Sequence, residues 1–162
     1  MFKNILPKQI NNNYKGSKIA IYGFYPIMAM WLFRSFTHFL SENAGLVKIA
    51  SINKLPITNN IDPNNLVYLF ASLWGASQLI ITLLTILFFF KYRSLLPLLW
   101  LIVIFDILLR FISGFLHPLT PEYYINVPPG SLAQIPLLIY GILMFTISVS
   151  YTHLTLPTIC SV

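Results

Sequence analysis

Four long apolar runs constrain this chain more than any other feature. They cover residues 19–40, 66–90, 95–116 and 132–148, with more polar connectors between them. A helix needs about 20 mainly apolar residues, at 1.5 Å each, to cross about 30 Å of hydrocarbon. The first three runs meet that length and the fourth sits at the lower end of the range. The same runs could be core helices of a soluble domain only if enough polar residues surrounded them. Charged residues make up 9% of the 162, against roughly 25% in soluble domains. Lipid is therefore the expected solvent. The expected fold class is all-α, an integral membrane four-helix bundle forming one domain over residues 1–148.

The remaining stretch, 149–162, is set apart. Its opening "VSYTHLTLPT" resembles a translated transposon-end sequencing adapter, so it is read as a non-native tail and excluded from fold reasoning. Cys160, the single cysteine, falls within it. Residues 1–148 then hold no thiol, which excludes disulfides, thiolate metal sites and dithiol redox chemistry there.

The formal net charge of +6 raises the question of nucleic acid. The placement of the lysines answers it. Lys3, Lys8, Lys15 and Lys18 precede the first apolar run, and Lys91 and Arg93 fill the short "KYRS" connector between the second and third. Basic residues beside membrane spans mark the cytoplasmic side, whereas no basic stripe with interleaved aromatics suits nucleic acid. The expected orientation puts the N-terminus and "KYRS" inside, and the loops 41–65 and 117–130 outside. In the first of these, Leu46, Ile49, Ala50 and Ile52 suggest a short interfacial helix. Pro56 and "NNIDPNN" then impose an extended or turning path. Pro26, Pro97 and Pro136 are read as helix-start residues, where a missing N–H costs least.

Inside the third run, "FDILLR" carries Asp106 and Arg110 four residues apart, on one helix face. Each charge costs about 2.5 to 3.5 kcal/mol at mid-span, and each Leu, Ile, Phe or Val returns about 0.3 to 0.6. The 16 such apolar residues of this run supply about 7 kcal/mol against about 6, so the span inserts narrowly unless the charges pair. Counting helical rise places Arg34 of the first run and Gln78 of the second at similar depth, with His38 one turn beyond Arg34 and Glu42 beyond that. A polar layer of Asp106, Arg110, Arg34 and Gln78 is thus expected, with His38 nearby. In one reading Asp106 and Arg110 lock the bundle while Arg34 snorkels toward Glu42 or lipid phosphate. In the other, the excess positive charge faces a cavity and receives an anionic or carbonyl-bearing ligand.

Ala71 and Gly75 have small-xxx-small spacing, as do Ser72 and Ala76, which favours close helix approach. No metal-ligand spacing, Gly-rich phosphate loop, nucleophile elbow or catalytic carboxylate pair is present. An enzyme is therefore disfavoured, and neither a metal nor a cofactor is expected.

The stretches "NNLVYLFASLWGASQLI", "IVIFDILLRFISG", the Pro-rich loop and "LAQIPLLIYGIL" together resemble the small four-helix membrane proteins of the DoxX-like group, over residues 19–148. The closest likeness is to branches of that group carrying no assigned activity. The motif residues are Trp74 and Gly75 in the second span, and Arg110, Ser113 and Gly114 in the third, the last two read as helix-packing residues. Tyr68 and Gln134 depart from the pattern, which has Arg and Glu there. The resemblance implies a four-helix bundle in a bacterial inner membrane, and it admits a quinone as ligand. The function expected is a non-enzymatic accessory or assembly subunit, its partners the bilayer and other membrane proteins. The alternative is binding or transport of a small anionic, lipid or quinone-like ligand through the Arg/Asp cluster.

Overall fold

The computed structural model describes residues 5–150. Residues 151–162, most of the stretch read as adapter and including Cys160, lie outside the described residues, as does Lys3. Four helices, each long and apolar enough to cross a membrane, account for the fold: α1 (Lys18–Leu40), α2 (Asn64–Lys91), α3 (Leu96–Leu116) and α4 (Pro129–Ser150). The all-α four-helix bundle expected from the sequence is present. One 3-10 turn, Arg93–Leu95, leads into α3, and another, Pro121–Tyr123, lies between α3 and α4.

The helix ends follow local chemistry. Ser17 caps α1, its hydroxyl accepting from the Ile19 N–H (3.2 Å). Pro97 sits in the first turn of α3, where its missing N–H is one of the groups the helix leaves unpaired anyway. The expectation for Pro26 and Pro136 is corrected. Both lie inside their helices, about two turns in, because α1 starts at Lys18 and α4 starts at Pro129 rather than at Leu132. Each removes one backbone hydrogen bond. Near the first of these, the Tyr140 hydroxyl donates to the Gly23 carbonyl (2.9 Å), tying α4 to α1.

α1 packs chiefly against α2, and α3 against α4; α1 touches α4 less, and α3 meets both α1 and α2 only sparsely. The core lies toward the end where the chain enters α1 and α3. Phe24 stacks on Phe89 (5.3 Å between centroids) and meets Trp100 edge-on (5.0 Å), and Trp100 meets Tyr140 (5.7 Å). The Trp100 indole N–H donates to the Ala20 carbonyl (3.2 Å), so a fully buried polar atom is satisfied.

That end is basic and is closed by the N-terminal segment. The Asn11 N–H donates to the Ser94 hydroxyl (3.0 Å), and the Ser94 N–H to the Asn11 carbonyl (3.1 Å). The Tyr14 hydroxyl donates to the Ser148 carbonyl at the end of α4 (3.0 Å). Burial pushes the Tyr14 phenol from 10.0 up to about 12. The folded chain thus holds this proton more tightly than the unfolded one. Its contribution to stability is complete below pH 10.0 and is lost as the pH rises through about 12. Phenolate absorbance of the protein and of Tyr14→Phe, titrated side by side, should differ by one phenol ionising near the upper value. A difference centred at the ordinary tyrosine value would show that the segment does not dock.

The opposite end carries both long loops. The interfacial helix expected around Leu46–Ile52 is replaced by consecutive turns, with Ala44 (φ 48°) and Gly45 (φ 70°) both left-handed. Left-handed residues break helical hydrogen bonding before it can propagate. Further on, Asn59 and Asn60 are both left-handed between Thr58 and Ile61, which pair across them as in a tight two-residue hairpin. The two loops then join. The Asn53 N–H donates to the Tyr123 carbonyl (2.8 Å) and the Ile125 N–H to the Ser51 carbonyl (2.7 Å), flanking an Ile52–Tyr124 bridge.

Candidate functional site

The approach of α1 and α2 rests on Gly75. A Cβ there would lie 2.6 Å from the Phe39 nitrogen and 2.7 Å from the His38 carbonyl carbon, so the helices meet backbone to backbone. The Ser72 hydroxyl, one turn before Ala76, donates to the Phe39 carbonyl (3.0 Å) in the same seam. Ala71, partly buried one turn before Gly75, extends this side of α2. The packing role expected of Ser113 and Gly114 is corrected: both are exposed, and a Cβ on Gly114 meets no atom within 4 Å. Small residues permit close approach only where a partner helix arrives, and none arrives there among the described residues.

Close approach of α1 and α2 brings their polar residues to α3. Asp106 takes both ends of Arg110, with Nε at 3.0 Å and Nη2 at 2.9 Å from its two oxygens. This bidentate geometry is the strong form of the interaction. The pair lies within one helix, however, and by itself ties nothing to its neighbours. That is done by Arg34 and Gln78. Arg34 Nη2 stands 3.8 Å from Asp106, an ion pair longer than a hydrogen bond. The Gln78 amide is oriented by its surroundings. With its carbonyl oxygen toward the guanidiniums it accepts from Arg110 (2.6 Å) and Arg34 (2.7 Å). Arg34 thus turns into the bundle toward α3 and does not snorkel to Glu42. The reason is that α1 presents Arg34 on the same side as Trp31, Ser35 and His38, which face α2 and α3.

Trp74 is the hub of the cluster. Both guanidinium carbons lie over its ring, Arg110 at 5.5 Å and Arg34 at 5.8 Å from the centroid, and the His38 ring lies 4.8 Å away. Such cation–π contacts strengthen when the cation is desolvated. The sequence resemblance marked Trp74 as a motif residue; its spacing of four from Gln78, one helical turn, is the signal that would have placed it in the site. His38 meets the cluster at the Trp74 ring. It is buried, and its Nδ1–H donates to the Ala44 carbonyl (2.7 Å), so it anchors the loop that follows α1. Below the cluster, the buried hydroxyls of Ser35 and Thr82 meet at 3.2 Å across the α1–α2 seam.

α2 and α3 pack only sparsely, and a cleft of about 290 Å³ lies between them, with Trp31 and Ser35 of α1 as its floor. Arg34, Gln78 and Asp106 form its polar end, and Ile81, Ile102 and Phe105 its apolar wall. The rim residues Ile81, Phe105 and Leu109 are exposed on the flank of the bundle, so the cleft opens sideways, toward lipid. Two cations and one carboxylate leave a single excess positive charge. Arg34 Nε is buried and has no hydrogen-bond partner among the described residues. A second cavity, about 560 Å³, lies between Arg110 and the loop end, walled by Ser113, His117, Tyr124 and Gln134. Of the two residues at which the sequence departs from the pattern it resembles, Gln134 lines a cavity, while the half-buried Tyr68 has no partner for its hydroxyl among the described residues.

Compared with models of protein families, with curated proteins and with solved structures, the chain matches none.

Proposed function

We propose that this protein is a bacterial inner-membrane bundle that binds an amphiphile with an anionic headgroup in the lateral cleft between α2 and α3. One observation carries the reading: Arg34 lines an apolar, side-opening cleft, its buried Nε–H has no partner among the described residues, and the one carboxylate near it, Asp106, is held by Arg110 and comes no nearer than 3.8 Å. A carbonyl-bearing quinone would satisfy the donor but not the charge, so an anion fits better. The N-terminus is assigned to the cytoplasm because Lys8, Lys15, Lys18, Lys91 and Arg93 gather at one end of the bundle. The loops at the other end set Lys48 and Lys54 against Glu42, Asp62 and Glu122. Membership of the DoxX-like group is supported by three of its motif residues, Trp74, Gly75 and Arg110, converging on this site. The accessory-subunit reading keeps one support, the bidentate Asp106–Arg110 pair, which stiffens α3 whether or not anything binds.

The test is binding of dodecyl phosphate to the purified full chain, followed by thermal stabilisation in a neutral detergent. Arg34→Gln should weaken binding by roughly tenfold or more, the loss of a hydrogen bond between charged groups. Lys48→Gln, an exposed loop cation, should leave it unchanged. Equal loss in both variants would reduce the effect to bulk charge. Tighter binding of a decyl benzoquinone than of dodecyl phosphate would overturn the anionic assignment.

A further inference from the structure

The cleft and the second cavity share a wall. Trp74, Asp106 and Leu109 line both. Arg34 lines only the cleft and Arg110 only the cavity beneath the loops. Helical spacing explains the division: Asp106, Arg110 and Ser113 follow one stripe of α3, with His117 just past its end, while Ile102, Phe105, Asp106 and Leu109 follow the adjacent one. Asp106 stands where the stripes meet. Each chamber therefore has its own guanidinium, and one carboxylate serves both.

The geometry points to a second anion site, in the vestibule on the Arg110 side, alternating with the cleft through exchange of Asp106 between the two arginines. This rests on the cleft reading above. In the state seen here Asp106 is held by Arg110 at 2.9–3.0 Å and stands 3.8 Å from Arg34. The cleft is then receptive and the vestibule arginine is neutralised. Movement of the carboxylate to Arg34 would reverse the two, with no change in total charge, and the net single positive charge always belongs to one chamber at a time. Gln78, accepting from both guanidiniums, supports either state. The chemistry recognised is a phosphate- or carboxylate-like oxyanion. The cleft admits it at the head of an acyl chain. The vestibule, which is larger, lined in part by polar side chains and placed under the joined loops, also admits it as a free ion.

Two double variants keep the cluster at one positive charge and so avoid an unbalanced site. Asp106→Asn with Arg110→Gln leaves only Arg34; Asp106→Asn with Arg34→Gln leaves only Arg110. In a Cys160→Ser background, a single reporter thiol is introduced at Ser77, which lines the cleft, or at Ser113, which lines the vestibule. The readout is its alkylation rate by N-ethylmaleimide in phosphatidylcholine vesicles, with dodecyl phosphate or inorganic phosphate as probe. In the otherwise native chain dodecyl phosphate should protect the Ser77 position. It should protect that position alone in the Arg34-only variant and the Ser113 position in the Arg110-only variant, by roughly tenfold in affinity over the mismatched chamber. Inorganic phosphate should protect only Ser113, and only where Arg110 is unmasked. Absence of Ser113 protection in an Arg110-only protein that remains helical and monodisperse overturns the second site and leaves the cleft standing. Protection by inorganic phosphate at Ser113, with none by dodecyl phosphate at Ser77 in any variant, overturns the cleft reading instead. If the Arg110-only variant does not fold, Arg110→Gln alone decides. It should send Asp106 to Arg34 and weaken cleft binding by roughly tenfold, although Arg110 does not line the cleft; unchanged binding overturns the exchange.

Discussion

Asp106→Asn is expected to cost the protein about 3 kcal/mol, the penalty of one unneutralised guanidinium within a span. The substitution keeps the shape and removes only the charge, yet it leaves Arg34 and Arg110 sharing the Gln78 oxygen with no anion between them. Both side chains are largely covered, 24% and 21% exposed, so solvent relieves little of the repulsion. Against a typical stability of about 5–15 kcal/mol, this is a large fraction. Adding Arg110→Gln restores the native net charge and should recover about 2 kcal/mol of the loss, so the two changes are far from additive. Thermal unfolding in one detergent, followed by helicity, measures both quantities. A double variant no more stable than Asp106→Asn would mean that the cluster is hydrated and the charge balance irrelevant.

The second large effect is expected at Gly75. Alanine is ordinarily the better helix former by about 1 kcal/mol, and at Gly114, with open space around it, Gly114→Ala should gain up to that amount. Gly75→Ala should do the opposite. Its Cβ would collide with backbone atoms of α1 at 2.6 and 2.7 Å, which no rotamer change can relieve. Overpacking of this kind costs about 1–3 kcal/mol. Separating the helices would also draw Arg34 from Gln78, so dodecyl phosphate binding should fall together with stability. Equal melting temperatures for the two alanine variants would show that α1 and α2 do not touch there.

These two glycines show where sequence reading stops. Both sit in apolar helices beside other small residues, and no local property distinguishes them. The difference is whether a second helix passes within reach, which depends on residues far away in the chain. Arg34 teaches the same lesson. Rise per residue put it at the level of Asp106 and Gln78, but depth does not say which way a helix is rotated. The alternative partner, Glu42, is set aside only by the face of α1 on which Arg34 lies. Pro26 and Pro136 lie inside their helices for a related reason: helix ends are set by capping and loop geometry, and a helix stabilised by its neighbours tolerates the loss of one backbone hydrogen bond.

The sequence by itself determined the number of spans, their limits to within a few residues, and the Asp106–Arg110 pair. Hydrocarbon length, charge cost and four-residue spacing are all local quantities. Only the tertiary structure decided that α2 and α3 part to leave a cleft, that Trp74 gathers two arginines and a histidine, and that Asp106 stands between two chambers. Those outcomes follow from which helix surfaces meet. That is fixed by close packing between distant segments, and no single span encodes it.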